Sequence, residues 1–96
     1  MTFEVRVQKP VAAFLDTLPE KSRRIVTAAL KDLGENPFPG SGGDRELLTL
    51  QSGREVYRLH IARTYTAFYG VDTGAKTVSV YELLSREKAH KRYGRL

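Results

Sequence analysis

The chain contains no cysteine, which removes a disulfide framework, a thiolate metal site and a cysteine nucleophile at once. It has only two histidines, His60 and His90, too far apart for metal-ligand spacing. No carboxylate pair is read on the His60 face to complete a site, so neither a metal nor a cofactor is expected. No glycine-rich loop follows a strand and opens a helix, and Gly40-Ser41-Gly42-Gly43 lacks the Lys-Ser/Thr ending of a phosphate loop. A Gly-x-Ser-x-Gly elbow is missing as well, which leaves a serine hydrolase without support. The first ten residues alternate Phe3, Val5 and Val7 with polar side chains and form no apolar run. They therefore read as neither a signal peptide nor a membrane span, and a soluble cytoplasmic protein without a membrane partner is expected. Repeats and low-complexity stretches are absent too.

What is present is a chain of 96 residues, 41% hydrophobic, enough for one core and one domain over residues 1–96. Sixteen Lys and Arg against eleven Asp and Glu leave a net charge of +5, which favours an anionic partner. The cations are unevenly placed, with Arg54, Arg58, Arg63, Arg86, Lys88, Lys91, Arg92 and Arg95 all in the C-terminal half.

Period-two alternation at Phe3, Val5 and Val7 predicts a first strand. Pro10 suits a first helical turn, and Val11, Phe14, Leu15 and Leu18 recur at helical steps before Leu18-Pro19 breaks them. A second helix then opens with Glu20 and carries Ile25, Val26, Ala29, Leu30 and Leu33 as its apolar stripe, stopping at Gly34. Asn36 to Gly43, with two prolines and three glycines, is a loop. A short strand begins over Glu46 to Leu50, with a turn signal at Gln51-Ser52-Gly53. Val56 to Ile61 alternates, Tyr57, Leu59 and Ile61 on a core face and Val56, Arg58 and His60 on the other. Tyr65 to Val71 is its hairpin partner across Ala62-Arg63-Thr64, and Thr77 to Leu84 is the last strand. Ser85 is set as an N-cap for Arg86 to Tyr93, a short charged helix or tail. The fold class is α+β, in the order β-α-α-β-β-β, a mainly antiparallel sheet packed against a helical hairpin.

Arg58 and His60 on one strand face, Arg86 at the end of the final strand and Tyr93 shortly after suit phosphodiester chemistry. RNA carries its own nucleophile in the 2′-hydroxyl, so cleavage needs a base near it, an acid near the leaving 5′ oxygen, and cations on the phosphate. Histidine serves as base, forked arginines hold the charged phosphate, and tyrosine stacks or donates a proton. Against this stand plainer readings: Arg58 and Arg86 as surface partners of Glu55, Glu82 or Glu87, and Tyr57, Tyr65, Tyr69 and Tyr81 as packing aromatics.

The order of elements, with Tyr57-Arg58-Leu59-His60-Ile61, Tyr65-Thr66-Ala67-Phe68-Tyr69 and Arg86-Glu87-Lys88, resembles the RelE/ParE toxin superfamily, in its RelE-like branch, over nearly the whole chain. That resemblance implies a toxin of a type II toxin-antitoxin system, held by a cognate antitoxin, that cuts mRNA on the ribosome without a metal and leaves a 2′,3′-cyclic phosphate. It assigns His60 as base, Arg58 and Arg86 to the phosphate, and Tyr93 to orientation or proton donation, with Arg54, Arg63, Lys88, Lys91 and Arg92 as further RNA contacts. At one position the chain departs from the pattern: a family arginine on the third strand of the resemblance is Thr66 here, and Arg63 stands just before it in the connection. A ParE-like gyrase inhibitor, or a degenerate protein that only binds its antitoxin, are the alternatives.

Overall fold

A computed structural model of the chain describes residues 2–40 and 44–93, excepting the side chains of His90, Arg92 and Tyr93. Its elements are β1 (Glu4–Val7), α1 (Lys9–Asp16), α2 (Glu20–Asp32), β2 (Arg45–Thr49), β3 (Glu55–Ile61), β4 (Tyr65–Asp72), β5 (Thr77–Ser85) and α3 (Arg86–Tyr93). The architecture is α+β as expected, with β2 a full strand, so four consecutive strands form the meander after the helices. The sheet runs β1-β5-β4-β3-β2; β1 lies parallel to β5 and every other pair is antiparallel. The helical hairpin thus carries the chain from one edge of the sheet to the other. No helix among the described residues is long and apolar enough to cross a membrane.

The main core lies between the hairpin and one sheet face. Val11, Val26, Leu30 and Leu33 from the helices meet Leu59, Ile61, Ala67, Tyr69, Val78, Val80 and Leu83 from the strands, all buried. This bears out the core face assigned on β3. Ile25 is a correction, because it is 43% exposed. The residues that turn inward, Val26, Leu30 and Leu33, are four and three apart, and Ile25 sits a helical step off that line. Gly34 follows α2 where the chain has no room for a side chain: a Cβ there would lie 2.9 Å from the Phe3 carbonyl oxygen. The Phe3 amide donates to the Gly34 carbonyl at 2.7 Å, which ties the start of β1 to the end of α2.

The other sheet face carries a smaller cluster of Val56, Phe68 and Ala89, with Leu48, Leu50 and Leu84 packed on it. Ala89 is the residue by which the otherwise polar α3 seats itself there. α3 is started by Ser85, whose hydroxyl accepts from the Lys88 amide at 3.3 Å, the N-cap bond expected of that serine. One irregularity decides what this face displays. The β4–β5 register slips between Phe68, opposite Glu82, and Tyr69, opposite Val80, so Tyr81 is an extra, bulged residue. Before the bulge Val78 and Val80 face the core; after it Leu83 does, and the even positions turn to the other side.

Candidate functional site

On the face away from the hairpin, β3 presents Arg58 and His60 by simple alternation, and β4 sets Phe68 and Thr66 directly opposite them. The bulge brings Leu84, and Arg86 two residues later, to the same side. Arg86 is fixed further by its backbone, whose amide donates to the Thr64 carbonyl at 2.8 Å, joining the start of α3 to the β3–β4 turn. A cleft of about 690 Å³ opens between these strands and α3. Arg58, His60 and Thr66 line it from the sheet, and Arg86, Glu87, Ala89 and Lys91 line it from α3. A second hollow of about 410 Å³ adjoins, sharing His60 and Arg86 and adding Arg63 and Tyr65.

The arrangement holds a carboxylate that was not foreseen on this face. Glu46, on the edge strand β2 and opposite Arg58 in register, accepts a short hydrogen bond from the Arg58 guanidinium. Its other oxygen lies 3.5 Å from His60 Nε2. The Arg58 hydrogen bond holds the Glu46 carboxyl below its usual range, against a smaller opposing effect of burial, and the Arg58 and His60 charges add to the lowering. Arg58 therefore pairs with Glu46 and not with Glu55, Glu82 or Glu87. Its Nε is buried without a partner among the described residues. Arg86 and Arg63 are exposed, and among the described residues neither makes an ion pair.

Of the other expected contacts, Lys91 lines the cleft while pairing with Glu87 at 3.8 Å. Lys88 is exposed and does not line it. Arg54 lies at the far end of β3, its guanidinium carbon 5.1 Å above the Tyr81 ring, a cation–π seat separate from the cleft. The side chains of Tyr93 and Arg92, both expected at the site, lie outside the described residues. Tyr57 and Tyr69 are packing residues, stacked at 5.3 Å; Tyr69 is buried and donates to the Pro37 carbonyl at 2.5 Å. Burial pushes its phenol well above the usual range.

The missed residue is Glu46, and its signal was present: counting strand register outward from Gln51-Ser52-Gly53 places it opposite Arg58. The adjacent Leu47 and Leu48 broke the alternation that would have shown which way it points. As a chemical object, the cleft offers an imidazole, two cations paired with carboxylates, Arg86, which makes no ion pair among the described residues, and Thr66, a neutral hydroxyl only 2% exposed. It suits an anionic, phosphate-bearing ligand.

No family model and no curated protein matches the chain. Solved structures do. The archaeal RelE-RelB complex from Pyrococcus horikoshii aligns with a TM-score of 0.74 and 26% identity, over 90% of this chain and 97% of that one. The RelBE2 toxin-antitoxin complex from Mycobacterium tuberculosis gives 0.73 and 21%, over 90% and 100%. Free RelE toxin from Escherichia coli, as a mutant, gives 0.59 and 16%, over 98% and 93%.

Proposed function

We propose that this RelE-like chain acts as the single-domain toxin of a type II toxin-antitoxin pair, a metal-independent endoribonuclease that cuts mRNA on the ribosome in the cytoplasm and so inhibits translation. The observation that carries the reading is the cleft on the sheet face opposite the hairpin, where His60, Arg58 and Arg86 converge. In this reading His60 takes the proton from the ribose 2′-hydroxyl, whose oxygen attacks the adjacent phosphorus. The bond from phosphorus to the 5′ oxygen breaks, the leaving oxygen takes up a proton, and a 2′,3′-cyclic phosphate remains. Arg58 and Arg86 hold the phosphoryl oxygens as charge builds. Tyr93 is assigned to orienting the substrate or donating the leaving-group proton. The partner in the resting state is a cognate antitoxin; the P. horikoshii and M. tuberculosis structures are both complexes of this kind.

The test is cleavage of mRNA by purified protein with ribosomes, with the cut ends mapped. His60→Ala and Arg86→Ala are each expected to lower the cleavage rate by roughly 10²–10³-fold. Undiminished cutting by the double variant would remove both residues from the mechanism.

A second reading has its own observation. Thr66 is buried and uncharged where the family carries an arginine, and Glu46 already occupies Arg58. A protein that binds its antitoxin and does not cut would leave mRNA whole in the same assay while binding that antitoxin tightly. ParE-like inhibition of gyrase would appear instead as DNA damage with intact mRNA.

A further inference from the structure

The main cleft does not end at His60. On one side of that imidazole along β3 stands Arg58, with Thr66 opposite His60 on β4; a second hollow, walled by Arg63 and Tyr65, adjoins the cleft, with His60 and Arg86 common to both. Same-face residues on a strand step by ~6.7 Å, comparable to the distance between neighbouring phosphates of an extended single strand. Arg58 and the turn that carries Arg63 are therefore set on opposite sides of the histidine along the run of β3.

The turn itself is unusual in composition. Ala62 and Arg63 both adopt left-handed backbone, with φ of 54° and 60°, closed by the Thr64 amide donating to the Ile61 carbonyl at 3.1 Å. Ile61 pairs with Tyr65, so the connection has three residues, Ala62 to Thr64, and its left-handed pair sits at positions where a tight turn favours Asn-Gly or Asp-Gly, which adopt the conformation at little cost. Here an arginine occupies the position that glycine fills most easily. The Arg86 amide grips this same turn at the Thr64 carbonyl, so the backbones that carry the two cations are tied together beside the hollow.

We infer that the hollow formed by His60, Arg63, Tyr65 and Arg86 is a second phosphate subsite, which takes the backbone phosphate of the nucleotide next to the one bound in the main cleft. This rests on the RNA reading above and deepens it. Arg63 then does not replace the arginine missing at Thr66; it holds a different phosphate, and the site recognises two consecutive phosphodiesters.

The experiment measures affinity for two 2′-O-methyl RNA probes that resist cleavage, a dinucleotide with one phosphodiester and a trinucleotide with two. The wild-type chain is expected to bind the trinucleotide more tightly. Arg63→Gly, which suits the left-handed backbone and leaves the turn unstrained, is expected to weaken trinucleotide binding about tenfold and to reduce its salt slope by about 0.7. It leaves dinucleotide binding unchanged, and Arg63→Lys restores most of the loss. Equal weakening of both probes would mean that Arg63 serves the same phosphate as Arg58 and Arg86, which overturns the subsite. So would no weakening at all, or a wild-type chain that binds the two probes alike. If any of these occurs while His60→Ala and Arg86→Ala still lower cleavage, the subsite alone falls; if the wild-type chain binds neither probe and cuts nothing, the RNA reading falls with it.

Discussion

At the level of single residues, Glu46 sets the state of the free cleft. Its carboxylate pairs with Arg58, more enclosed than the cleft's other cations Arg86 and Lys91, and in the proposed reading must yield or share it when a phosphate arrives. Because its folded pKa is lowered, the stability it contributes is complete above the unfolded carboxyl value of about 4.3 and is lost as pH falls through the lower folded value. Urea denaturation at pH 7 and pH 3 should therefore show wild type more stable than Glu46→Gln at the higher pH, with the difference shrinking in acid. A difference that held constant with pH would mean that the pair carries no linkage. Tyr69 makes the opposite kind of contribution, far from the cleft. Its hydroxyl is buried against the Pro37 carbonyl, so Tyr69→Phe leaves that acceptor without its donor and is expected to cost about 1–2 kcal/mol in urea denaturation, with mRNA cleavage unchanged.

At the level of elements, the β3–β4 turn and the α3 cap bear on opposite sides of the balance between stability and function. Replacing Ala62-Arg63 by Asn-Gly puts residues that tolerate left-handed backbone at both positions and should raise stability by about 1–2 kcal/mol, seen as a higher melting temperature. Ser85→Ala removes the hydroxyl that accepts from the Lys88 amide and should lower stability by about 1 kcal/mol. It should also weaken RNA binding, because α3 brings Lys91 to the cleft. Most of these elements were legible because each announced itself locally. The Leu18-Pro19 break, the 3.6-residue stripe of α2 and the alternation of β3 need no knowledge of distant residues. β2 was the least legible, since Leu47 and Leu48 are adjacent. Its position as an edge strand leaves Leu47 46% exposed although that residue points to the hairpin side, so burial did not sort its faces cleanly.

At the level of the whole molecule, the net charge of +5, with Arg58, Arg86 and Lys91 lining the cleft, is expected to make binding of an anionic ligand sensitive to ionic strength. Short single-stranded RNA should bind with a log–log salt slope of about −0.7 per phosphate engaged, near −1.4 for the two-phosphate site, measured between low and physiological salt. The sequence by itself determined the α+β class, the helical hairpin, the alternation that puts Arg58 and His60 on one face, and the excess of positive charge. These follow from periodicity and composition, which act over a few residues. Tertiary structure alone decided two things. Strand pairing brought Glu46 from an edge strand onto Arg58 and His60. The bulge at Tyr81 reversed the facing of β5, so that Leu83 entered the core and Arg86 reached the cleft. Both depend on register between strands, which backbone hydrogen bonds and core packing set across the sheet: the Gln51-Ser52-Gly53 turn marks the register of Glu46 but not the way it points, and no local pattern of side chains marks the bulge.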